Sequence, residues 1–238
     1  MSESLAAGLV DIHLRGIEMT EAEWLACDDP IDMLLVSPGK NASDRKVRLF
    51  LCGCCRRVWD FMSPGDRAAV EVAERYAAGL ATVDELRATE GRSRMYRADD
   101  EEEPLPEDQP PSYWCDVAAW KVTGEPAVVQ VGDVCDATRR VAGDRSGEWE
   151  EVVQARLLRC VLGNPFREVA FDPAWRTPAV LALAHDIDAA RTFDRMTRLA
   201  ELLAGAGCGH EDVLKHLREP GPHAGGCWVI DSLLTRGA

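Results

Sequence analysis

Val47, Leu51, Cys54, Val58 and Phe61 recur at intervals of three and four residues, with Phe50 and Met62 beside them. At about 3.6 residues per turn these positions form a single apolar stripe, so Leu49–Met62 is expected to be a helix buried along one side. Cys52, Cys55 and Trp59 fall on an adjoining flank. Arg48, Arg56, Arg57 and Asp60 occupy the remaining arc and are expected to face water. Three cysteines in so short an apolar run are either small buried hydrophobes or half of a metal site.

The flanking segments carry helix signals of the same kind. Thr20-Glu21-Ala22-Glu23 and Thr82-x-x-Glu85 have the form of capping boxes. Ser63-Pro64 supplies an N-cap and a proline at the first helical position, and Thr177-Pro178 repeats that pair. Asp28-Asp29-Pro30 stops one short helix and opens another over Ile31–Val36. Val152, Ala155, Leu158 and Leu162 make a second clear stripe, within a helix expected over Glu148–Leu162. Further helices are expected over Asp66–Ala78, Pro178–Ala190, Phe193–Ala204 and His210–Arg218, with a last one ending near Leu234. Tyr113–Ala142 is ambiguous, since Val128, Val131, Cys135 and Thr138 keep helical spacing whereas Val129 and Val131 alternate. The helical neighbours decide for helix. The expected fold class is all-α: a multi-helix bundle with a long acidic, proline-rich loop.

Residues 1–18 are weakly patterned and read as an N-terminal extension, at most a short helix. Residues 19–238 read as a single helical domain with a flexible acidic insert at 97–112. Seven Asp/Glu and four Pro within Arg97–Ser112 oppose a packed helix or strand there.

The balance of 27 basic against 41 acidic side chains, net −14, argues against nucleic acid or an anionic membrane as partner. No apolar run approaches spanning length. Nine cysteines, an odd number at irregular spacing and preceded by no signal-type segment, point to a reducing cytoplasm rather than a disulfide framework.

His223 and Cys227 stand four residues apart, on one face if the last helix begins by His223. Combined with Cys52 and Cys55 they make a Cys3His set, for which Zn2+ is the natural ion. Cys208 and His210 are a weaker pair in a glycine-rich turn, and Cys27 is a further thiol within possible reach. A thiol switch is the second reading: adjacent Cys54 and Cys55 cannot bridge without strain, but Cys52 can meet a thiol from another helix. A metal-dependent hydrolase is the third. His185-Asp186 with Asp188 on an expected helix suggests it, and a solvated helix face is the better explanation for one His among acids. No Gly-x-Ser-x-Gly elbow, P-loop, dinucleotide fingerprint or His-Glu-x-x-His motif occurs. His216, near a helix end, reads as a dipole-compensating residue. The tryptophans are mostly spaced as core anchors. The function expected is a non-enzymatic cytoplasmic protein-interaction or regulatory module, stabilised by a structural zinc, with another protein as partner.

Four segments, Trp24-Leu25-Ala26-Cys27, Leu49-Phe50 with the Cys52-x-Cys54-Cys55-Arg56-Arg57-x-Trp59 run, Gly163-Asn164-Pro165-Phe166-Arg167 and Gly221-Pro222-His223-x-x-Gly226-Cys227-Trp228, occur in one order from Met19 to the C-terminus. Together they resemble an uncharacterised planctomycete paralogous family. Its members carry an alanine-rich helical middle where this chain has the acidic insert and the valine-rich segment. The resemblance implies an all-α fold and assigns no activity.

Overall fold

A computed structural model describes residues 19–36, 42–90, 109–143 and 149–236. The N-terminal extension and positions 97–108 of the acidic insert lie outside the described residues; Pro111 and Ser112, assigned to that insert from sequence, begin a helix instead. The described residues are all-α and contain no strand. In chain order the helices are α1 Glu21–Ala26, α2 Pro30–Val36, α3 Asp44–Arg57, α4 Pro64–Ala77, α5 Val83–Glu90 and α6 Pro111–Lys121. They continue as α7 Val131–Ala142, α8 Glu150–Leu162, α9 Pro178–Ala190, α10 Met196–Gly205, α11 Glu211–Arg218 and α12 Trp228–Leu233. None is long and apolar enough to cross a membrane. Where the sequence suggests one domain over 19–238, the packing divides the chain into two compact units, Met1–Ala155 and Arg156–Ala238, the boundary falling inside α8.

Local chemistry sets the helix ends. The Thr20 hydroxyl accepts from the Glu23 amide while Glu23 accepts from the Thr20 amide at 2.8 Å, and Ser63 with Asp66 makes the same reciprocal pair ahead of α4. At the far end of α4 the Gly79 amide donates to Tyr76 and the Leu80 amide to Arg75. That 5→2 and 6→1 pairing needs a left-handed residue, supplied by Gly79 at φ 71°.

In the first unit α3 is the central element, packed on α4, α6 and α7. Val47, Phe50, Leu51, Cys52, Cys54, Cys55 and Val58 are all buried. Each of the larger apolar side chains contributes about 1.5–3 kcal/mol by leaving water. The stripe does not continue to Phe61 as its spacing implies: α3 stops at Arg57, a 3-10 turn follows over Trp59–Phe61, and Phe61 is exposed. A 3-10 turn advances three residues per turn, so the phase of the helical stripe is lost there.

Arg48 departs most from expectation. It is 0 % exposed rather than on the water side. Its guanidinium donates to the carbonyls of Val122 and Gly124 at 2.9 and 3.0 Å and to Asp44 at 3.0 Å, while Asp44 also accepts from the Ala127 amide. Arg48 therefore anchors the connection between α6 and α7. The segment Tyr113–Ala142 is accordingly two helices rather than one, joined by a turn over Val122–Gln130 in which Val128 and Val129 are exposed. Arg56 and Arg57 are also engaged, each pairing through two nitrogens, with Glu74 and Glu150 respectively. Both carboxylates are buried, and the forked geometry satisfies them.

In the second unit α10 packs on α9 and α11, and α9 on α12. The core is built from Val180, Ile187, Leu199, Leu203, Leu217 and Ile230, among others. Phe171 meets Trp175 and Trp228 edge to face at 5.7 and 6.0 Å, closing one side of this core.

Candidate metal centre

Four elements of the second unit deliver side chains to one place. Cys160 lies in the last turn of α8, which ends at Gly163 in the left-handed region, φ 73°. His216 lies in the last turn of α11, beside Leu217 of the core. The connection from α11 to α12 turns at Gly221, φ 98°, brings in His223, and turns again at Gly226, φ 79°, to place Cys227 as the N-cap of α12. The continuous helical face expected across His223 and Cys227 does not form, because Gly225-Gly226 lies in a turn and the helix begins only at Trp228. The loop brings both residues to the cluster by another route.

The Cys160 thiol, the His216 imidazole and the Cys227 thiol place their ligand atoms within 4.8 Å of one another. His216 Nε2 is 3.2 Å from Cys227 Sγ, and His223 Nδ1 is 3.6 Å from Cys160 Sγ. Zn–S near 2.3 Å and Zn–N near 2.0–2.1 Å imply tetrahedral S···N edges of about 3.5 Å. The observed separations are of that size. Cys160 and Cys227 are 1 % and 0 % exposed.

The electrostatics of the cluster favour a deprotonated sulfur. Burial pushes the Cys227 thiol up, but donation from Cys160, the charge and hydrogen bond of His216 and the Ile230 amide together hold it well below the usual thiol range. Burial pulls the His216 imidazole down, and the Cys227 sulfur beside it outweighs that and leaves it raised. His223 is lowered, chiefly by burial, with a smaller contribution from His216. A thiolate beside imidazoles is the ligand chemistry that soft or borderline divalent ions prefer. The cluster has the donors and the spacing to hold a metal ion.

The four ligands expected from sequence are placed as follows. Cys227 belongs to the three-ligand group, and His223 lies against one member of it, its Nδ1 3.6 Å from Cys160 Sγ, without being in the group. Cys52 and Cys55 do not belong to it: they lie in the first unit, Cys52 donating toward the Val70 carbonyl at 4.0 Å and Cys55 toward Ala118 at 3.9 Å. Burial raises the Cys55 thiol far above its ordinary value, so it is a neutral, core-forming side chain. Cys54 is raised likewise, first by burial and then by its hydrogen bond with Cys135. Among the described residues the three-ligand group is Cys160, His216 and Cys227. Cys208 is buried in the core of the same unit, His210 begins α11, and Cys27 donates to its own loop at Asp29; none of them joins this group. His185 and Asp186 are exposed on α9. Cys160 and His216 were hidden by plausible local roles, a core cysteine and a helix-end histidine. The available signal was the recurrence of His at 216 and 223 just before Cys227.

No family model matches the chain, and neither a curated protein nor a solved structure is similar to it.

Proposed function

We propose that this chain is a non-enzymatic protein-interaction or regulatory module of the cytoplasm, its C-terminal unit held in shape by a zinc ion bound through Cys160, His216 and Cys227. The observation that carries the reading is the meeting of two buried thiols and an imidazole from α8, α11 and the start of α12. Cys160 is remote in sequence from His216 and Cys227, so an ion joining the three ties α8 to the C-terminal helices and restrains the fold of the unit. Zinc suits the mixture of sulfur and nitrogen donors. Burial of both sulfurs supports a structural ion, a reading that requires the protein to fill the fourth position that three ligands leave open.

A reducing compartment is supported by nine cysteines of which none forms a disulfide. Another protein as partner is supported by large apolar side chains left on the surface of the first unit, Leu80 and, at 82 % exposure, Trp149. The net charge of −14 supports neither nucleic acid nor an anionic membrane in that role. Membership of the planctomycete paralogous family is part of the same proposal. Its support is that the Gly-Pro-His…Gly-Cys-Trp segment is the loop that supplies His223 and Cys227.

The test is elemental analysis with native mass spectrometry of the full chain, purified under reducing conditions without chelator. One zinc per chain is expected, lost in Cys227→Ser. Less than about a tenth of an equivalent of any transition metal overturns the metal reading. If that metal-free chain, then treated with hydrogen peroxide, loses two protons and two electrons to it and gains a Cys160–Cys227 disulfide, the thiol-sensor alternative is favoured instead, to which the contact between those two thiols gives a physical basis.

A further inference from the structure

We infer that His223 is the fourth ligand, so that the centre is a closed Cys2His2 site with no position for a metal-bound water, a closure that rests on the zinc reading above. Three observations lead to His223. Its Nδ1 faces Cys160 Sγ at 3.6 Å, the length of one ligand–ligand edge, and because His223 stands outside the group whose ligand atoms all lie within 4.8 Å of one another, the ring has to move toward His216 and Cys227 when the ion binds. Its Nε2 lies 3.1 Å from the Glu219 carbonyl, and a carbonyl only accepts, so Nε2 holds the proton and Nδ1 presents its lone pair toward the cluster. This arrangement, one ring nitrogen toward the metal and the other donating to a backbone oxygen, is the usual way a protein orients a ligating histidine. Finally, the imidazole stands edge-on to His216 with ring centroids 5.1 Å apart, which brings the second histidine beside the first without stacking them.

The backbone around His223 is built for that placement. Gly221 has φ 98°, and a Cβ there would lie 3.0 Å from the His223 amide nitrogen and 3.2 Å from its ring. A side chain at 221 would thus displace the imidazole. Cys160 and Cys227 supply the sulfur pair, His216 and His223 the nitrogen pair. The ligands come as one from α8, one from α11 and two from the loop that leads into α12.

Cobalt(II) titrated into the reduced, metal-free full chain tests this, because its absorption reports both coordination number and thiolate count. The wild type is expected to show the intense ligand-field bands of four-coordinate cobalt, with sulfur charge transfer from two thiolates. His223→Ala is expected to lose cobalt affinity by more than about tenfold, since even outer-shell partners of a metal act on that scale. Its ligand-field bands should weaken as water enters, and added imidazole should restore them. His223→Cys is expected to raise the charge-transfer intensity from two thiolates' worth to three, and it decides the matter if the alanine variant does not fold. Unchanged affinity and spectrum in His223→Ala, with a spectrum still sensitive to Cys227→Ser, would remove His223 and leave the three-ligand site standing. Absence of cobalt uptake by the wild type would overturn the metal reading and the fourth ligand together.

Discussion

Arg48 shows how one side chain can govern a connection far away in sequence. Removing its fork would take away the Arg48 donors of the Val122 and Gly124 carbonyls and of one Asp44 oxygen, while the other Asp44 oxygen keeps the Ala127 amide. Arg48→Met should therefore destabilise the protein by roughly 2–4 kcal/mol in urea unfolding followed by circular dichroism, with Arg48→Lys intermediate. Asp116 makes a second case. Burial, then a hydrogen bond with Asp66 and the charge of Asp66, push its carboxyl from 3.8 up to about 6. A carboxyl raised on folding stabilises the native state below its unfolded value, and that contribution disappears as pH rises through the folded one. The melting temperature of the wild type should accordingly fall across the interval from about pH 4 to pH 6 relative to Asp116→Asn. If the two melting curves keep a constant separation over that interval, the carboxyl pair does not share a proton.

At the scale of elements, helix signals proved more informative than stripes. The caps before α1 and α4 and the prolines opening α4 and α9 act through neighbouring atoms, which is why they could be read one segment at a time. The α3 stripe held where the helix held and failed at Phe61, where the backbone tightens. The join between α8 and the chain beyond it depends on Gly163. A Cβ at that position would meet the Trp228 ring at 3.1–3.2 Å, and φ is 73°. Gly163→Ala is expected to cost about 1–3 kcal/mol and to disturb Trp228, next to Cys227, with a change in tryptophan emission and weaker cobalt binding as the readouts. Gly79→Ala, also at positive φ but with nothing near its Cβ, is the control: it should cost only the backbone term, of the order of 1 kcal/mol, and leave metal binding unchanged.

For the whole molecule, the two compact units respond to different influences. The first rests on the α3 core and its forked arginine pairs, the second on a smaller core together with the cysteine–histidine centre. A strong chelator should lower the thermal stability of the second unit by several degrees and leave the first near its original midpoint; calorimetry would then show two transitions where metal-loaded protein shows them closer together. A single transition unmoved by chelation would mean that no ion supports the fold. The all-α class, most helix boundaries and the thiol of Cys227 as a candidate ligand were legible in the chain itself, because periodicity, caps and close spacing are properties of neighbours. Cys160 and His216 are 56 residues apart, and Cys52 and Cys55 resemble ligands as closely as they do. Which thiols meet an imidazole depends on how helices pack, a matter of buried area and shape over the whole unit that no local spacing encodes.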